Sequence, residues 1–177
     1  MRDSRGFTLV EVLLVLVIVG ILLTISMANY RHARLRGAET SAIGALSAIN
    51  QAQFAFMLTC GNQKFAPHLT SLGKPHPGTN APYLSPDLTS ADEVVKSGYL
   101  IVMDGAEAAD PVLTCAGDTP LDAYHVTADP VTPGVTGSRF FATNVNLVIY
   151  EDLETFDGKM PDTGVPPLGQ EVRGVTR

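Results

Sequence analysis

Residues 7–28 read FTLVEVLLVLVIVGILLTISMA. These 22 residues decide the fold. Coiled as a helix they reach about 33 Å at ~1.5 Å per residue, enough to cross a hydrocarbon core of ~30 Å. No polar side chain interrupts the run from Val12 to Leu23. A helix apolar on every face needs lipid or many sister helices around it. One acid, Glu11, lies inside the run. A carboxylate in hydrocarbon costs about 2.5–3.5 kcal/mol on insertion scales, so its presence asks for a reason.

The flanks of this run are basic. Arg2 and Arg5 precede it, with Asp3 between them, and Arg31, Arg34 and Arg36 follow it. A secretory signal peptide has a shorter apolar core closed by a small-residue cleavage site. No A-x-A pattern closes this one. Thr24, Ser26 and Ala28 leave ordinary cleavage as the alternative to a retained membrane helix. The larger basic cluster trails the helix, which opposes an orientation with the N-terminus inside. The cysteines favour an exported C-terminal body, so the two indications conflict. The trailing arginines suit anionic lipid headgroups. From Gly37 onward there are 7 Lys+Arg and 16 Asp+Glu, a balance of −9. An acidic body argues against non-specific nucleic-acid binding, and no nucleic-acid partner is expected.

Beyond the basic cluster the helical signal continues. No proline occurs between Leu35 and Met57. Apolar residues recur at Leu35, Ala38, Ala42, Ala45, Leu46, Ile49, Ala52 and Phe56, a helical stripe. Glu39, Ser41, Ser47, Asn50 and Gln51 take the opposite face. Cys60-Gly61-Asn62 ends the pattern, with glycine suited to a C-terminal cap. One helix of roughly 50 residues, about 75 Å long, is predicted. Tyr30, Phe54 and Phe56 on it read as core or interhelix packing.

The rest reads as a loop followed by strands. Residues 62–98 are rich in Pro, Gly, Asn, Ser and Thr, with helical turns expected at 68–72 and near 91–96. His68 and His76 lack partners at metal-ligand spacing and read as solvated loop histidines. Strands are expected at 99–103, 124–128, 139–143 and 147–150, the last two joined by a turn at Asn144-Val145-Asn146. The fold class is therefore α+β: a long N-terminal helix, half membrane-spanning and half amphipathic, packed on a small antiparallel sheet of three or four strands.

Cys60 and Cys115 show no CxxC spacing. In an exported domain one disulfide is the natural reading, tying the helix end to the loop between the first two strands. It closes a loop of roughly 55 residues, worth about 4 kcal/mol in the chain-entropy model. Two unpaired core thiols are the alternative. Glu151, Asp152, Glu154 and Asp157, with Asp162 nearby, are weak calcium candidates, since calcium needs several oxygen ligands. Their spacing is not that of an EF-hand, and a solvated acidic segment is the preferred reading, with no cofactor expected. No nucleophile elbow, phosphate-binding glycine loop or HExxH motif is present, so no enzymatic activity is expected. The end of the chain, PDTGVPPLGQEVRGVTR, looks flexible.

Gly6-Phe7-Thr8-Leu9-Val10-Glu11, after a short leader with Arg2 and Arg5, resembles the prepilin motif of type IV pilins and type II secretion pseudopilins. The resemblance is strong over residues 1 to about 58 and loose beyond. It implies that a prepilin peptidase cuts between Gly6 and Phe7 and methylates the new amino terminus of Phe7. It implies that Glu11 of one subunit pairs with the Phe7 amine of a neighbour and sets the register of assembly. A contact between Glu11 and the amine of its own chain is the alternative, and the helix dipole favours it too. The implied organisation is a leader at 1–6, a transmembrane and assembly helix at 7–30, its amphipathic continuation at 31–58, a globular head at 59–160 and a flexible tail at 161–177.

The implied function is a structural subunit of a type IV pilus. Its partners are further copies of itself, the peptidase, an inner-membrane assembly platform and, before assembly, lipid. The implied location is the inner membrane first, with the head exported, and an extracellular pilus or periplasmic pseudopilus afterwards. The alternative is a pseudopilin of a type II secretion system; a membrane-anchored exported enzyme or binding domain is the third reading. Many type IV pilins carry proline where Ala28 stands here. With Gly20 present and that proline absent, Gly20 reads as a close-packing residue.

Overall fold

The computed structural model describes residues 7–76, 78–109 and 112–172, with the side chains of 25–29 outside the description. One helix, α1 (Leu9–Thr59), spans 51 residues. Thr8 caps its start, accepting a hydrogen bond from the Glu11 N–H at 3.3 Å. This satisfies one of the free donors of the first turn. At the other end the N–H groups of Cys60 and Gly61 both donate to the Phe56 carbonyl.

Two one-turn helices follow, α2 (Leu69–Leu72) and α3 (Pro86–Thr89). Then come β1 (Glu93–Lys96), β2 (Tyr99–Glu107), β3 (Leu121–Pro130), β4 (Phe140–Asn144), β5 (Ile149–Asp152) and β6 (Gln170–Glu171). They form one six-stranded sheet in sequential order, every pairing antiparallel. The three or four strands expected from sequence are thus corrected to six among the described residues.

Each difference has a local cause. Residues 93–96 form β1, where a helical turn was expected; that turn lies earlier, on Ser85-Pro86, with proline at the first helical position. The paired valines Val94 and Val95 suit a strand. Ser97 and Gly98 both take positive φ (51° and 84°) and close a two-residue hairpin that sets Lys96 opposite Tyr99. β2 runs through Asp104-Gly105 to Glu107, past the strand expected at 99–103. There a Cβ on Gly105 would stand 2.2 Å from the Ala123 carbonyl oxygen, so the glycine permits close strand approach instead of a turn. β5 starts at Ile149, later than expected, because Leu147 sits in the left-handed region (φ 63°) with its N–H bonded to the Asn144 carbonyl at 2.9 Å.

The amphipathic half of α1 lies on one face of the sheet, touching β3, β4 and β5. Ala42, Ala45, Leu46, Ile49, Ala52 and Phe56 are buried there against Tyr99, Ile101, Tyr124, Val126 and Phe141. A smaller cluster of Ala142, Tyr150, Phe156 and Met160 covers the opposite face of the sheet. Residues 161–172, expected to trail as a flexible tail, pack against that region. Asn144 Nδ2 donates to the carbonyls of Pro161 (2.9 Å) and Gly164 (2.8 Å). His125 Nδ1 lies 2.5 Å from Asp162 Oδ1, and β6 pairs with β5. Residues 173–177 of the expected tail lie outside the described residues.

Cys60 and Cys115 form the disulfide, with Cα atoms 4.9 Å apart. The Cys115 N–H also donates to the Cys60 carbonyl at 2.9 Å. The end of α1 is therefore fastened to the β2–β3 connection by a covalent bond and a backbone bond together. The alternative of two unpaired thiols does not apply.

Candidate assembly surface

The two halves of α1 present opposite surfaces. From residue 35 onward one side is buried under the head. From Phe7 to Thr24 every side chain is exposed, with Val19, the least exposed large one, still 44% accessible. An apolar surface of this extent marks an interaction site, since soluble monomers rarely expose contiguous apolar patches beyond a few hundred Å². Glu11 lies in the first turn of this segment, its carboxylate exposed. Thr8-Leu9-Val10-Glu11 has the spacing of a capping box, and the Thr8 half of that box is made. An acid in the first helical turn is also favoured by the helix dipole.

Among the described residues no helix is long and apolar enough to cross a membrane. The side chains described along the apolar run end at Thr24 and resume at Tyr30. The span expected over 7–30 therefore rests on the sequence. Gly6 and the expected leader lie outside the described residues. Phe7, the residue that would carry the new amine, is 84% exposed just ahead of the cap.

How the head holds this helix is set by polar groups that sequence reading placed on the wrong face. Glu39 and Asn50 were expected to face solvent; both are buried. Glu39 accepts from Ser138 N–H (3.1 Å) and Oγ–H (2.7 Å) on one oxygen and from Arg139 Nε (3.1 Å) and Nη2 (2.7 Å) on the other. Burial alone would raise the Glu39 carboxyl pKa; the bonds from Arg139 and Ser138 outweigh it and hold it below its ordinary value. Arg139 also pairs with Glu151 and stacks over Phe141, 5.4 Å from the ring centre. Asn50 bridges Thr143 and Tyr124, donating to the Thr143 hydroxyl at 2.8 Å and accepting from the Tyr124 hydroxyl at 3.0 Å. Gln53 was missed altogether. It is fully buried and pairs with Ala66 like a backbone amide, donating to its carbonyl (3.0 Å) and accepting its N–H (2.8 Å).

The signal for Glu39 and Gln53 was present. Positions 39, 42, 46, 49, 53, 56 and 60 recur at alternating steps of three and four, the period of a buried helix seam. Two polar side chains on that seam, Glu39 and Gln53, are satisfied by partners far along the chain.

The weak calcium candidates do not converge. Glu151 is engaged by Arg139, Asp152 accepts the N–H groups of Leu153 and Glu154, and Glu154 faces Lys159 at 3.4 Å. Asp157 is exposed. Among the described residues no group of three or more His, Cys, Asp or Glu side chains could hold a metal. His68 lies 3.8 Å from Asp92, and the His76 ring packs on Tyr83 with centres 4.9 Å apart.

Residues 1–27 match the family model described as the prokaryotic N-terminal methylation motif. This is the prepilin-type motif of type IV pilins and pseudopilins. It supports a protein of that class, a membrane-anchored precursor processed by a prepilin peptidase and assembled into pilus-like polymers. No curated protein and no solved structure matches the chain.

Proposed function

We propose that this chain is the structural subunit of a type IV pilus, polymerising through α1 after the leader is cut at Gly6 and Phe7 is methylated. The observation that carries the reading is the N-terminal third of α1: an apolar rod, exposed on every side, joined without a break to a helix fixed under an acidic, disulfide-bonded head. Before assembly, lipid covers the rod. In the filament, sister rods replace the lipid. Glu11 then loses water and lipid headgroups together, and the cationic amine on Phe7 of a neighbour is its natural partner, since low dielectric strengthens such a pair. A copy added out of register leaves that carboxylate buried and unpaired, a state that is strongly disfavoured.

The work assigned to the chain is structural, and no catalysis is assigned to it. Energy for assembly would come from other components of the machine. The same motif serves a pseudopilin of a type II secretion system equally well, and that is the second reading. The disulfide and the long connection between α1 and β1 incline the choice to the pilus.

Immunogold labelling with antibody to the head separates the two. Labelled filaments projecting from the cell surface support the pilus subunit. Label confined to the envelope of secreting cells assigns the chain to a pseudopilus.

A further inference from the structure

Where α1 leaves the apolar rod, the head reaches back toward it. The β3–β4 loop, residues 131–139, and α1 border a groove whose lining includes Gly134 and Val135 from the loop and Leu23, Tyr30, Arg31, Arg34 and Leu35 from the helix. The loop tip is a tight turn, with the N–H groups of Val135 and Thr136 both donating to the Thr132 carbonyl. Its two valines, Val131 and Val135, are exposed, as is Tyr30. Apolar Leu23, Tyr30, Leu35 and Val135 line it together with basic Arg31 and Arg34 and with His32.

Arg31 and Arg34 line this groove, and Arg36 follows them on α1. Among the described residues, Arg31, Arg34 and Arg36 have no acidic side chain within ion-pair distance. This is unusual in a chain whose remainder carries a balance of −9. Depth decides what they meet. If residues 7–28 fill the hydrocarbon layer, Arg31 stands about 4.5 Å beyond its edge and Arg34 about 9 Å. The headgroup layer is about 5–8 Å thick on each side. Arg31 then lies within the headgroup layer and Arg34 just outside it, with a long side chain able to reach back to a phosphate; Val135 lines the same groove.

We propose that the groove between α1 and the β3–β4 loop is a docking site for anionic phospholipid headgroups, occupied while the subunit waits in the membrane. This rests on the membrane-anchored reading above. The phosphate meets Arg31 and Arg34, and the upper acyl chain meets Leu23, Tyr30 and Val135. The head from Gly37 onward carries a balance of −9 and on the whole is repelled by an anionic surface, so this contact fixes which side of the head faces the bilayer. A second copy at the same depth would bring its own Arg31 and Arg34 to the groove, like charge against like. Lipid is therefore the better occupant before assembly.

The test uses the full chain with Val135→Cys, since no free cysteine is present among the described residues. A spin label on that thiol is read in vesicles of phosphatidylcholine alone and with phosphatidylglycerol added, while flotation reports membrane association. The expected result is flotation in both. With phosphatidylglycerol the label becomes shielded from a water-soluble nickel complex, and Arg31→Gln with Arg34→Gln restores its accessibility. Each arginine removed is expected to lower the docked population ratio about fivefold, with the unfolding midpoint of the head unchanged. Equal accessibility in both vesicles with intact flotation overturns the docking site alone. Shielding that grows with the protein-to-lipid ratio assigns the groove to a second copy and also overturns it. A chain that does not float removes the membrane-anchored reading, and the docking site with it.

Discussion

Glu39 on α1 and Arg139 at the entrance to β4 are 100 residues apart in sequence and bonded at 2.7 Å in the fold. Through this pair the head grips the helix one turn above the last arginine of the basic cluster. The neighbouring Asn50–Thr143 and Gln53–Ala66 contacts extend the grip toward the disulfide.

Glu39→Ala is expected to destabilise the head by about 3 kcal/mol, read by urea unfolding with the disulfide intact. The change removes four hydrogen bonds to a buried carboxylate and leaves Arg139 with Glu151 alone. Charge-assisted bonds and broken ion pairs of this kind carry costs of that order. An unchanged unfolding midpoint would show that the pair is incidental.

Two carboxylates give opposite pH signatures. The folded Glu39 group titrates below its ordinary value. Its contribution is present above the ordinary carboxylate pKa and lost as pH falls through the folded value. Asp129 is raised, first by burial and then by the charge of Asp157, with the Thr155 hydroxyl bond only partly offsetting them. One of its oxygens is buried without a hydrogen-bond partner among the described residues. Its contribution is present below the ordinary value and lost as pH rises through the folded one. Glu39→Gln should therefore lower stability at pH 7 but not at pH 2. Asp129→Asn should raise stability at pH 7 and leave it unchanged at pH 2. Thermal unfolding across that range checks both signs.

Gln53→Leu keeps the side-chain volume close but strips the Ala66 peptide of both its partners in a buried site. A cost of about 2–4 kcal/mol is expected, because a buried amide left unpaired loses its desolvation energy without return. Hydrogen exchange at the Ala66 amide should accelerate well beyond the global change.

Reduction of Cys60–Cys115, with its separation of 55 residues, should cost about 4 kcal/mol. A thiol-trapping unfolding curve with and without reductant measures it. Loss should appear first as fraying of the last turn of α1, which carries no basic residue.

Much of this architecture was legible because it follows from period and motif. The long helix, its buried apolar stripe and the central strands need only local pattern, and Gly6, Phe7 and Glu11 stand in one contiguous signature. The rest needed tertiary context. β6 is two exposed polar residues, Gln170 and Glu171, which carry no apolar alternation and become a strand only by pairing with β5. Glu39 and Asn50 read as solvent-facing because their partners, Ser138, Arg139 and Thr143, arrive through the register of β4 against β3 and β5. The basic cluster was visible in sequence, but the groove it shares with Val135 was not.

The central claim is that α1 exchanges lipid for copies of itself once the leader is gone. Intact-mass measurement of protein sheared from the cell surface tests it most directly. The account predicts polymeric material whose main component begins at Phe7 and carries one extra methyl group. Full-length chain retaining residues 1–6, recovered only as monomer, would contradict it.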